Sequence, residues 1–254
     1  MGKFILMAKI HRHHINFGWV IFGLSSVIIL VCLLWELNII NLPSDLVHYS
    51  RQLSGRVVIN PGLTFELPLK FHRQEHSLSC ELATLKMVLN YHGVEVSESE
   101  IIDKLPFDST MRLGNIWGDP HLGFVGNIDG KMMGDGYGVY WEPIAAVASY
   151  WRGAKIIKNG LASDLAKHIS EGRPVIVWGY LGRGQSVNWE TSDGKKIYGV
   201  DGEHTRVVYG FRGSVEDPDG FMIMDPVYGP AYWEESKFMR NWEALGRHGV
   251  VVYP

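Results

Sequence analysis

Between Phe17 and Trp35 the chain reads FGWVIFGLSSVIILVCLLW without a single charged side chain. About 20 apolar residues in helical form cross the roughly 30 Å hydrocarbon core of a bilayer, so the run sets a spanning helix, expected at 17–36, apart from the rest of the chain. A cleaved signal peptide would have a shorter apolar region closed by small residues. This run ends on Leu33, Leu34 and Trp35, so retention as a signal-anchor is expected. Cys32 comes after Ile29, Leu30 and Val31, which are too bulky for a lipoprotein site. Lys3, Lys9 and Arg12 precede the run, and Glu36 and Asp45 lie beyond it. The positive-inside bias therefore assigns residues 1–16 to a cytoplasmic tail and the remainder to the outer side of the cell membrane, as a single-pass protein. His11, His13 and His14 read as part of the polar flank, and no metal is expected there.

Residues 37–69 hold Pro43, Pro61 and Pro68 without sustained periodicity and read as a stalk. Residues 70–254 are enough for one domain. The chain has 24 basic and 27 acidic residues, which leaves no electrostatic footprint for a nucleic-acid backbone. The glycine-rich stretch between Phe107 and Tyr140 is not followed by GK[ST], so no nucleotide partner and no cofactor is expected. That stretch is too long for a plain connection and is either a cleft rim or a structured insertion.

Leu78, Leu82, Leu85 and Leu89 are spaced four, three and four apart, with Gly93 beyond them, which predicts a helix over 77–91. Ala83, Thr84 and Met87 lie with Cys80 on the opposite face, so this helix has two sides to bury. Ser97 and Glu100 form a capping-box signature ahead of Ile101, Ile102 and Leu105. Further helices are expected at 143–151 and 163–170. PVIVWGY, TRVVYGF, GFMIMDP and GVVVY then read as strands. Helices followed by strands indicate an α+β domain with the leading helix packed on an antiparallel sheet.

Cys80 is the only cysteine outside the apolar run, so the domain has no disulfide and its thiol must be explained alone. In the first turn of a helix the thiol sits near the positive end of the dipole, which favours thiolate; a buried cysteine acting as a small apolar residue is the plain alternative. Gln74 lies six residues earlier and can return an amide beside the thiol as an oxyanion donor. His204 enters a β-run in GEHTRVVYGF, and Asp225 ends the next one in FMIMDP. An imidazole held by a sheet, with a carboxylate fixing its tautomer, suits a base. Each of these residues alone has an ordinary structural reading; the ordered set is far more specific.

The set resembles the papain-like cysteine peptidases, in particular the bacterial branch similar to bacteriocin-processing peptidases that cut after double-glycine leaders. The carriers are QEHSLSCELATLKMVLNYHG, GRPVIVWGY, GEHTRVVYGF and IMDPVYG, within residues 71–228; GFVG and GYGVYWEPIAA look like stand-alone cell-surface members. The resemblance implies a papain-like fold with Cys80 as nucleophile, His204 as acid and base, Asp225 as orienting group and Gln74 as oxyanion donor, acting on a peptide or cell-envelope substrate. Two positions depart from the pattern: Glu81, where relatives commonly have a small residue, and Thr205, where they have an apolar one. A carboxylate beside the thiol opposes thiolate formation if it points inward. Two other functions fit the same sequence. One is a catalytically silent surface domain that binds through Trp117, Phe124, Tyr137 and Trp141; the other is an acyltransferase or transpeptidase using the same dyad.

Overall fold

The computed structural model describes residues 64–254. The expected spanning helix and most of the expected stalk lie outside the described residues; among those described, no helix is long and apolar enough to cross a membrane. The part of the expected stalk that is described, Thr64–Glu66, forms strand β1 of the main sheet, and Leu67 and Leu69 after it are buried.

The leading helix α1 (Cys80–Tyr91) buries both faces, Leu82, Leu85 and Leu89 on one and Ala83, Thr84 and Met87 on the other. It stops where Gly93 turns to φ 78°, a left-handed cap that glycine adopts without strain. In α2 (Glu98–Ile102) the capping box is made in both directions. Next come β2 (Phe107–Asp108), β3 (Phe124–Gly126), β4 (Gly136–Gly138), α3 (Trp141–Ala148), β5 (Ala154–Ile157), α4 (Ala162–Ser170) and β6 (Val175–Tyr180). The chain finishes with β7 (Ser186–Glu190), β8 (Lys196–Val200), β9 (Glu203–Gly213), β10 (Pro218–Asp225), β11 (Gly229–Glu234), α5 (Glu235–Glu243) and β12 (Gly249–Val252).

The main sheet runs β11-β10-β9-β6-β12-β5, with β1 added to β9, and every pairing in it is antiparallel. Its inner strands β6 and β12 and the middle stretches of β9 and β10 read as continuous apolar runs because both faces are covered. Ile176, Trp178 and Val207 face the core shared with α1 and α3, whereas Val175, Val177 and Val208 face Leu165 and Ile169 of α4 and Phe238 and Trp242 of α5. The glycine-rich stretch is a structured insertion: β2, β3 and β4 form a small sheet of their own. Trp117, Phe124, Tyr137 and Trp141 point into the core, each 5% exposed or less, so these rings fill the interior rather than a recognition surface.

Candidate active site

Cys80 is the first residue of α1, and the loop before it is fastened at both ends. The Gln74 backbone N–H donates to the Pro226 carbonyl at 3.0 Å and that of Leu78 to Ile128 at 2.9 Å. Strand β9 passes under this helix end. Period-two alternation along it sends Glu203 and Thr205 toward α1, and His204 and Arg206 toward Asp225 on β10. Thr205 and Thr84 meet at 3.2 Å between their hydroxyls and pin strand to helix. Gln74, Cys80, Met132, Leu181, Glu203 and His204 line a common cavity of about 250 Å³.

Asp225 is held on every side. Its Oδ2 accepts from His204 Nε2 at 3.1 Å and from Arg206 Nε at 2.9 Å, and its Oδ1 accepts from the backbone N–H groups of Val227 and Tyr228. Burial opposes its ionisation, but the hydrogen bond and charge of His204 and the charge of Arg206 bring it down to about 2. Burial also depresses His204, against the pull of Asp225, so the ring is neutral at pH 7. With Nε2 engaged by Asp225, Nδ1 is the nitrogen left for another partner.

The thiol's hydrogen bond is to Glu81 rather than to the imidazole: Cys80 Sγ donates to Glu81 Oε2 at 3.2 Å. The Glu81 side chain points inward, fully buried, and its Oε1 accepts from the Val139 N–H at 2.7 Å. Glu203, 3% exposed, lies against it, and both of its carboxylate oxygens are buried without a donor. The sulfur and one oxygen of each acid lie within 4.8 Å of one another. Two acids so placed cannot both ionise. Burial raises Glu81 to about 7. Burial and then Glu81 push Glu203 well above its ordinary value, against Arg206. Burial first, then Glu81 and Glu203, likewise push the thiol well up, and hydrogen bonds with Thr205 oppose this. The helix end is thus outweighed, and the resting form is a protonated thiol.

Gln74 reaches the cavity, but its Nε2 donates to the carbonyls of His76 and Ser77, and its Oε1 is buried without a donor. The expected set is therefore gathered around one cavity with His204 and Asp225 joined, while the thiol and the Gln74 amide are turned to other partners. Glu203 and Arg206 were missed by sequence reasoning. Alternation from His204 was the available signal for Arg206; Glu203 carries none, because GEHTR reads as polar loop.

Gly138 seals the acid pair. At φ 134° a Cβ there would come 2.5 Å from Glu81 Oε1 and 2.7 Å from Glu203 Oε2. Gly138→Ala should destabilise the protein by about 2 kcal/mol, seen as a lower urea midpoint at unchanged slope.

A family model described as the Peptidase_C39 like family matches residues 66–250. The uncharacterized protein YvpB of Bacillus subtilis (strain 168) is 27% identical over 180 residues, 68% of either chain. A crystal structure of a C39-like protein from Bacillus anthracis superposes with a TM-score of 0.65 at 24% identity, covering 75% of this chain and 98% of that one; this likeness is one of fold. The peptidase domain of Streptococcus ComA matches more loosely, with a TM-score of 0.46 at 16% identity over 73% of this chain and 98% of that one. The mixed α/β fold is that of the C39-like peptidases, and with a family model spanning most of its length the chain belongs to the peptidase C39-like family.

Proposed function

We propose that this protein is a cysteine peptidase or amide hydrolase in which Cys80 attacks and His204 carries the proton. The observation that supports it best is that sulfur and imidazole line one cavity while Asp225 occupies Nε2, leaving Nδ1 as proton acceptor. The thiol first turns from Glu81 toward Nδ1 and gives up its proton. The thiolate then adds to the substrate carbonyl carbon. The oxyanion is met by the Cys80 backbone N–H, which has no intrahelical acceptor at the first helical position, and by the Gln74 amide once it leaves the Ser77 carbonyl. Collapse breaks the C–N bond, the imidazolium protonates the leaving amine, and water hydrolyses the thioester. Resolution by an amine instead would give acyl transfer. The anchor and orientation read in residues 1–36 support a peptide or cell-envelope substrate outside the membrane.

A second reading is favoured by the Cys80–Glu81 hydrogen bond: Glu81, raised to about 7, acts as the base in place of His204.

Iodoacetamide labelling followed by mass spectrometry tests the first reading. His204→Ala should slow alkylation of Cys80 several-fold near neutral pH, and a peptide library should yield products with the wild type and none with Cys80→Ala. An alkylation rate indifferent to His204 would overturn it.

A further inference from the structure

On the far side of His204 lies a second cavity, of about 350 Å³, walled by Arg206, Trp233, Lys237, Arg240 and Asn241. Among the described residues none of its lining side chains is acidic. Arg206 is committed: Nε binds Asp225, Nη1 binds Asn241 Oδ1 at 3.1 Å and Nη2 binds the Tyr180 carbonyl at 3.2 Å. Its guanidinium carbon lies 4.7 Å from the centre of the Trp233 ring, and Lys237 Nζ lies 4.3 Å from that same centre. Lys237 and Arg240 are exposed and head no ion pair in the described structure. Two cations at the rim of a concave site make a positive field that low-dielectric walls concentrate, while the charge of the buried Arg206 is balanced by Asp225.

Position decides what this field serves. Leu181 lines both cavities, and Arg206 shares Asp225 with His204. In acyl transfer through an imidazole, the nitrogen that takes the thiol proton returns it to the leaving amine, so the leaving fragment sits on the imidazole side. From the thiol, that side leads past His204 and Leu181 to Arg206.

We propose that this cavity is a subsite for a carboxylate carried by the leaving fragment of the substrate, gripped by Lys237 and Arg240 with Trp233 as the floor. The carboxylate is either an Asp or Glu side chain or the fragment's own carboxy terminus. The inference rests on the peptidase reading, and it names the substrate class as peptides acidic on the leaving side.

The test uses the full chain and a peptide library made in four forms: Glu or Gln in the fragment on the leaving side, each with a free or amidated carboxy terminus. The acidic forms should be cleaved with about tenfold higher kcat/KM, mostly through KM, and the advantage should shrink with salt. The Glu-amide and Gln-acid forms tell side-chain from terminal carboxylate. Lys237→Ala/Arg240→Ala should remove the preference while leaving Cys80 alkylation unchanged, and Lys237→Glu/Arg240→Glu should shift it toward Lys-bearing fragments. Binding of the same peptides to Cys80→Ala protein by calorimetry separates the two claims. Cleavage indifferent to charge overturns the subsite and leaves the peptidase. Carboxylate-selective binding lost in the double variant, with no peptide cleaved, overturns the peptidase and leaves the subsite. No selectivity in either assay overturns the subsite.

Discussion

Glu81→Gln is expected to make Cys80 more reactive, with alkylation by iodoacetamide at pH 7 roughly 10–100 times faster than in the wild type. Glu81 is the nearest carboxylate to the thiol, and its Oε2 accepts the S–H hydrogen bond. A carboxylate acceptor stabilises the protonated sulfur and repels the ionised one. Glutamine keeps the shape, and its Oε1 still accepts from the Val139 N–H. The other end of the amide then presents an N–H to the sulfur, a donor that favours thiolate. Unit charges within about 5 Å interact by roughly 3 kcal/mol at an effective dielectric near 20, and partial protonation of Glu81 at pH 7 reduces the effect to the stated range. The rate–pH profile should move toward acid with it. A slower thiol in Glu81→Gln, with unaltered circular dichroism, would transfer the base role from His204 to Glu81. An unchanged rate would mean that burial alone holds the proton on sulfur.

The residues that carry the chemistry were legible where they interrupt a strong apolar period. Cys80 starts a helix whose leucines repeat at four and three, His204 opens a β-run, and Asp225 closes one; each lies within two residues of an element end. The sheet was legible for the same reason, since β6, β12 and the middle stretches of β9 and β10 are buried on both faces and apolar. Helix α5 was not, because it buries only Phe238 and Trp242, a single i,i+4 pair among charged neighbours. The β7–β8 hairpin offers alternating strands, but only Trp189, Ile197 and Val200 of its side chains are buried. Strand β1 has all three residues exposed and owes its strand form to backbone pairing with β9, which leaves no period to read. The inward turn of Glu81 was visible only as a departure from the family pattern. Its partner Glu203 lies more than a hundred residues away in the chain, and that pairing is a property of the fold.

That pairing also predicts an unusual dependence of stability on pH. Between about pH 4.5 and 7 the acid pair should withdraw stability from the folded protein as the pH rises. Glu81 ionises near its ordinary value of 4.5 in the unfolded chain and at about 7 in the folded one, and Glu203 is displaced in the same direction. A group whose folded pKa is raised contributes fully below its unfolded pKa and loses that contribution as the pH climbs through the folded one. For Glu81 this amounts to about 3 kcal/mol, or roughly 6–12 °C in Tm for a domain of this size. His92, His168 and His248 slope the other way, their neutral rings favoured by burial, and so does His204. Its neutral ring is favoured by folding, so its contribution is present above the ordinary histidine value and fades as the pH falls below it. Asp225, held at about 2, acts only below about pH 4. Wild type and Glu203→Gln compared by calorimetry from pH 5 to 8 isolate the acids, because the slopes of the four histidines are common to both. With Glu203 uncharged, Glu81 loses the neighbour that repels its ionised form, and the decline in Tm should be markedly shallower in the variant. A decline of equal size in both would mean that the acids ionise independently, and that Glu203 does not help to keep the proton on Cys80.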